Sequence, residues 1–314
     1  DYASLEAFYN KIDGYFSKAQ AEGFLQKNTI VVLPEHIGTA LIALDEKETI
    51  FKVERIDEAF KVALWSNLYS FLPQYFNAPS SVDKKTFALF AMKSEIMAKY
   101  FQFVFSSMAI KYNTYVVPGS IILSNPQIKE EKLVSNNGEL YNISLVYQPN
   151  GKAFPQLVKE IFPTKQELAF IEPGKIDHLP VFNLPVGNTK VLLGNDAWYR
   201  ETHFTKYETT STLIAPSFLT QSLNSNWDTL LTFLSPIPEG IDPKQKLTVE
   251  SALLQYGIPK RLHENKISRG ATVFLRGKLW DLTNTGSTII NNSNKEILTG
   301  YNIDGASIIN LWVN

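Results

Sequence analysis

Apolar and polar positions alternate along this chain in two rhythms. Over residues 5–25, Leu5, Phe8, Ile12, Phe16 and Ala19 recur at helical spacing with Lys and Glu between them, which predicts an amphipathic helix ending near Gly23. Residues 29–33 then read TIVVL, an unbroken apolar run of the kind that forms a strand covered on both faces. Helical periodicity returns over about 56–76 and again over 84–112. The second of these is rich in Phe, Met and Ala and leads into a strand-like run over 114–123. Residues 125–138 are polar, with Lys129, Glu130, Glu131, Lys132 and Asn136-Asn137-Gly138, and read as an exposed turn.

Further on, 140–147 reads as a strand and Gln148-Pro149-Asn150-Gly151 as a turn, because Asn-Gly adopts positive φ readily. Short strands are predicted at 190–193, 212–215, 272–275 and 287–291, with helical patterns between them and a Pro-rich charged loop over 236–246. Strands alternating with helices predict an α/β architecture, and the Asn-Gly turn makes part of the sheet antiparallel. No internal repeat, low-complexity tract or linker breaks the pattern, so one domain over 1–314 is expected.

Composition narrows the function. A chain of 314 residues that is 44% hydrophobic has ample material for a core, which excludes general disorder. Thirty basic residues against 31 acidic ones leave a net charge of -1, so binding to nucleic acid by bulk charge is not expected. No apolar run approaches the roughly 20 residues of a membrane span. The absence of cysteine removes disulfides, thiolate metal sites and any cysteine nucleophile. The chain begins with Asp1 rather than Met, consistent with removal of an export signal or with trimming; an exported, periplasmic location is slightly favoured over a cytoplasmic one. His178 and His203 lie at no metal-binding spacing, Ser217 lacks a Gly-x-Ser-x-Gly elbow, Gly286 reads as a turn residue, and no Gly-rich phosphate loop is present.

Several segments carry chemistry. Val31-Val32-Leu33-Pro34-Glu35 ends an apolar strand in Pro-Glu, behind a helix with a Gly near its end. Lys159-Glu160-Ile161-Phe162-Pro163 follows a strand, an Asn-Gly turn and a second strand. Val191-Leu192-Leu193-Gly194-Asn195-Asp196-Ala197-Trp198-Tyr199 runs from an apolar strand through an Asp to an aromatic pair, and Asn284-Thr285-Gly286-Ser287 precedes a late strand. In this order, over about residues 5–300, these segments resemble the carbon-nitrogen hydrolase (nitrilase) superfamily.

The resemblance implies a four-layer α-β-β-α sandwich of two mixed sheets in a single domain, and commonly a homodimer. It implies no cofactor and no metal. In that family a Glu acts as general base, a Lys stabilises the oxyanion, and a Cys attacks an amide or nitrile carbon to give a thioester. By motif match Glu35 takes the base position, Lys159 the cation position and Glu167 that of a second carboxylate, while Glu160 and Glu172 crowd the same stretch. Asp196, Trp198 and Tyr199 would face the substrate. The nucleophile position falls on Gly194, which has no side chain to attack with.

Two more departures are Arg200-Glu201 where the family has Pro-Glu, and the lack of the family's opening strand, as if the chain starts inside the fold or has lost its beginning. The implied function is a carbon-nitrogen hydrolase-like protein acting on a small amide or nitrile, impaired by the missing Cys. The alternative is a non-catalytic binding or scaffold protein that holds a small amide, nitrile or carboxylate. Each residue also has a plainer reading: Glu35 as a strand-end carboxylate, Lys159 on a solvated face, Trp198 and Tyr199 as core aromatics. The aromatic stretch over 51–111 is longer than the family needs and would cover a pocket mouth.

Overall fold

The structure, a computed structural model, describes residues 2–203, 210–217, 220–222, 254–264, 267–284, 288–292, 295–298 and 306–312. The loop predicted over 236–246 and the Gly286 turn lie outside the described residues.

Helix α1 (Leu5–Ala21) starts where Ser4 accepts a hydrogen bond from the Ala7 amide at 3.1 Å, and it carries Glu6 in its first turn and Lys18 in its last. Its apolar stripe, Phe8, Ile12, Phe16 and Ala19, is buried as the spacing predicts. The 56–76 zone is two helices, α2 (Ile56–Ser66) and α3 (Leu68–Asn77), separated at Asn67. Helix α4 (Lys84–Tyr112) begins at an Asp83 cap and ends at Asn113, whose φ of 51° stops the helix in the left-handed region. Its inward face seals Met97, Phe101, Val104, Phe105, Met108 and Ala109 from solvent, while Glu95, Lys99, Phe103 and Ile110 lie along an exposed stripe.

Strand β1 (Ile30–Val32) pairs in parallel with β2 (Tyr115–Val117). β1 is half-buried rather than covered on both faces as its sequence predicts, and β2 is its one partner among the described residues. The 114–123 run breaks at Pro118-Gly119-Ser120 into β2 and β3 (Ile121–Ser124). At Gly119, φ is 75° and any Cβ would collide with the Pro34 carbonyl, so this glycine lets the loops after β1 and β2 touch.

The polar stretch read as a turn is a hairpin of β4 (Gln127–Lys129) and β5 (Lys132–Val134). Its turn places Glu130 and Glu131 at φ of 49° and 60°, a geometry the sequence hides because neither is Gly or Asn. β6 (Leu140–Ser144) lies between β3 and β7 (Val158–Lys159), antiparallel to both.

A second, mixed sheet holds β8 (Phe182–Leu184), β9 (Gly187–Val191), β10 (Thr212–Ser217), β12 (Arg269–Phe274), β15 (Ile289–Asn292) and β16 (Lys295–Leu298), in the order β16-β15-β12-β10-β9-β8. The pairs β9–β10 and β10–β12 are parallel and the rest antiparallel. A smaller antiparallel sheet joins β11 (Thr220–Ser222), β14 (Leu282–Asn284) and β13 (Gly277–Leu279). Between β9 and β10 lies the single turn α5 (Arg200–His203).

Strand alternation assigns the layers. Val116 joins the core cluster of α1 and α4, whereas its neighbour Val117 joins a second cluster with Val191, Leu193, Leu213 and Ala215 of the other sheet. Leu145 and Val146 divide the same way. Helix α6 (Ile258–Glu264) adds Ile258 and Leu262 to the second cluster, packed on β12. The order is helices, sheet, sheet, helix: a four-layer α-β-β-α sandwich.

Candidate active site

The inner ends of both sheets meet at four buried acids. Glu35 follows β1 and is 0% exposed, Asp196 is 0%, Glu160 is 2% and Glu167 is 6%. They are close enough to interact electrically, and each is held by hydrogen-bond donors.

Asn142, on the inward face of β6, donates from Nδ2 to Glu35 Oε1 at 2.9 Å and to Glu160 Oε2 at 3.0 Å. One amide therefore ties two carboxyl groups together. Glu167 accepts from the Thr164 amide at 2.8 Å and the Thr164 hydroxyl at 2.7 Å, and its other oxygen lies 3.0 Å from His36 Nε2. His36 is fixed by a hydrogen bond from its backbone amide to Ser120 Oγ at 2.9 Å and by contact of Nδ1 with Thr39 Oγ1 at 3.0 Å, and its Nε2 is 4.0 Å from Glu35. Asp196 accepts from the backbone amides of Ile161 at 3.0 Å and Phe162 at 2.8 Å.

Charge follows from this geometry. Burial, then the nearby Glu167, Glu35 and Asp196, push the Glu160 carboxyl well above the usual carboxylate range. Asp196 is pushed up to about 7 by burial, against the pull of the Phe162 and Ile161 amides. Glu167 goes the other way: burial acts to raise it, but His36 and the Thr164 donors together hold it below its ordinary value.

The sequence-predicted residues are distributed unevenly. Glu35 and Gly194 come together: a Cβ placed on Gly194 would stand 2.7 Å from Glu35 Oε2 and 2.9 Å from Oε1, and φ at Gly194 is +44°. Glu167 joins the cluster through His36. Lys159 does not. Its Nζ lies 3.4 Å from the centroid of the Tyr141 ring, and burial lowers its pKa.

The reason is strand period. Lys159 pairs with Ile143 and Val158 with Ser144, so Val158 turns inward, Lys159 away and Glu160 inward beside Asn142. The inward position next to Glu35 is therefore filled by an acid. Asp196 clamps the backbone of 161–162, and Trp198 and Tyr199 are buried, Tyr199 stacking on Phe162 at 3.7 Å.

Glu160, Asn142 and His36 are the members that motif matching passes over. The inward Val158 is the signal that would have found Glu160, two positions on. His203 is buried with Nε2 3.0 Å from the Ala197 carbonyl. Among the described residues no group of three or more His, Asp or Glu side chains is arranged to hold a metal ion, and no helix is long and apolar enough to cross a membrane. The cluster joins Glu35 and Glu160 through the Asn142 amide, which donates to both. It offers no nucleophile and no cation facing Glu35 from Lys159.

No protein-family model matches the chain, and a search of curated proteins returns no match. Solved structures do match. An amidase from Nesterenkonia sp. AN1 superposes with a TM-score of 0.56 at 12% identity, over 95% of this chain and 84% of that one. A carbon-nitrogen hydrolase from Helicobacter pylori G27 gives 0.55 at 14% identity, over 92% and 78%. Another structure of the Nesterenkonia amidase, described as carrying acrylamide added to its active-site cysteine, gives 0.53 at 12% identity over 95% and 84%. At these identities the likeness is one of fold.

Proposed function

We propose that this chain, which has the fold of the nitrilase superfamily, is a non-catalytic binding or scaffold protein in which the old reaction centre has become a closed cluster of acids. One observation carries the reading. The Glu35 carboxylate occupies the space that a nucleophile's Cβ at Gly194 would need, at 2.7 and 2.9 Å. Covalent attack on an amide or nitrile requires an attacking side chain and a group to hold the developing oxyanion. Gly194 supplies no attacking atom, and the ammonium of Lys159 stands over Tyr141 instead.

The alternative, a hydrolase disabled only by loss of its Cys, rests on the retained Glu35 and Asp196, and the two readings part on one variant. Gly194→Cys should fold with reduced stability and remain inactive on a panel of simple amides and nitriles, with no thioester detected by mass spectrometry. Thioester formation or turnover by that variant, or hydrolysis by the unmodified chain, would overturn the non-catalytic reading.

A further inference from the structure

The aromatic stretch over 51–111 turns some of its rings outward. In α3, Phe71 is buried in the core cluster shared with α1 and α4, and the helix packs on α4 and meets α2. The rest of its apolar arc stays bare. Leu68, Tyr69, Leu72 and Phe76 recur at i, i+1, i+4 and i+8, which sets them in one stripe about 100° wide. All four are exposed, Tyr69 at 97% and Phe76 at 75%. Ser70, Gln74 and Asn77 hold the opposite side of the helix. Trp65, in the last turn of α2, is 72% exposed.

Charge is missing where exposure is greatest. Residues 65–82 contain no Asp, Glu, Lys or Arg, in a chain that is 19% charged. A helix that faces water ordinarily turns charged side chains outward, and this one turns out rings. Trp and Tyr combine an apolar ring with a polar tip, which suits them to the zone where hydrocarbon gives way to water. Shape points the same way. A ring as exposed as Tyr69 has no protein wall beside it, so its partner must supply every contact. Fluid lipid closes around a protruding ring without a matching pocket. A second copy of the chain, met across a two-fold axis, would set stripe against stripe and offer rings where pockets are needed.

We propose that α3 and the end of α2 form a docking site for the surface of a phospholipid bilayer. α3 has 10 residues and is about 15 Å long, half of the roughly 30 Å hydrocarbon core, so it lies along the surface. Trp65, Leu68, Tyr69, Leu72 and Phe76 enter the boundary between headgroups and acyl chains, and Ser70, Gln74 and Asn77 stay in water. Because the stripe carries no charge, attachment depends on apolar burial and not on anionic lipid. This site is separate from the acid cluster and stands whether or not that cluster turns over a substrate.

The probe is the full chain mixed with vesicles of phosphatidylcholine, which carry no net charge. The protein should float with the vesicles, and raising the ionic strength to about 1 M should weaken binding by less than about twofold. Lipid brominated along its acyl chains should quench the tryptophan emission, and W65F should bind yet lose that quenching. Tyr69 and Phe76 lie on the surface, so Y69S/F76S should keep the circular dichroism of the parent and bind at least about tenfold more weakly. Loss of binding at high salt would mean adsorption through basic side chains such as Lys61 and Lys85. Quenching that survives in W65F would place another part of the chain in the lipid. An oligomer that forms without lipid and that Y69S/F76S converts to monomer, seen by analytical ultracentrifugation, would mean that a second copy covers the stripe. Any of these results, undiminished binding of Y69S/F76S, or no binding at all, overturns the proposal.

Discussion

At Gly194 a left-handed backbone coincides with a carboxylate that stands too close for any Cβ. Gly194→Ala should therefore cost about 1–3 kcal/mol in urea unfolding, from strain at positive φ and from contact with Glu35. In a Glu35→Ala background the contact part disappears, so the double-mutant cycle should show a smaller penalty; additive losses would argue that Glu35 does not fill that space. Protonation gives the second residue-scale test. An acid held above its ordinary value keeps a proton in the folded chain that the unfolded chain has already released, so stability falls as pH rises. For Asp196 the window runs from about 4, the unfolded value, to about 7. Glu160 works in the same direction. Glu167, held low, has the opposite sign, and its contribution is lost as pH falls below the ordinary Glu range. Glu160→Gln should raise the urea midpoint at pH 8 and leave it nearly unchanged at pH 4; the same gain at both would mean that no buried ionisation was removed.

Between residue and fold, short elements decide who meets whom. β7 is two residues long, yet its register sends Lys159 over Tyr141 and Glu160 to Asn142. Lys159→Met should then cost less than about 1 kcal/mol, the scale of a half-exposed cation–π contact. Loss of several kcal/mol would place the ammonium in a buried network instead. Asp196 anchors the segment after β7 through the Ile161 and Phe162 amides, and Asp196→Ala should destabilise by about 2 kcal/mol or more, with Asp196→Asn milder because an acceptor remains. The motif Lys159-Glu160-Ile161-Phe162-Pro163 was legible in the sequence as a segment. Which of its residues points inward was not legible from motif matching, because a one-residue shift in a strand exchanges its faces. The hairpin at 127–134 was illegible for a local reason: Glu130 and Glu131 adopt positive φ without the Gly or Asn that advertises it.

Across the whole molecule, the two core clusters share strands: β2 gives Val116 to one and Val117 to the other. We therefore expect one cooperative domain. Phe101→Ala, at the sealed centre of α4, should cost about 3–5 kcal/mol and shift far- and near-ultraviolet circular dichroism together; separate transitions would mean two folding units. The sequence alone determined the long helices, the α/β class and the want of a nucleophile, because periodicity and residue identity are local properties of the chain. Only the tertiary structure decided that an acid, not a lysine, faces Glu35. That depends on which strand lies beside which, and neighbours in space are not written in the spacing of residues along one strand.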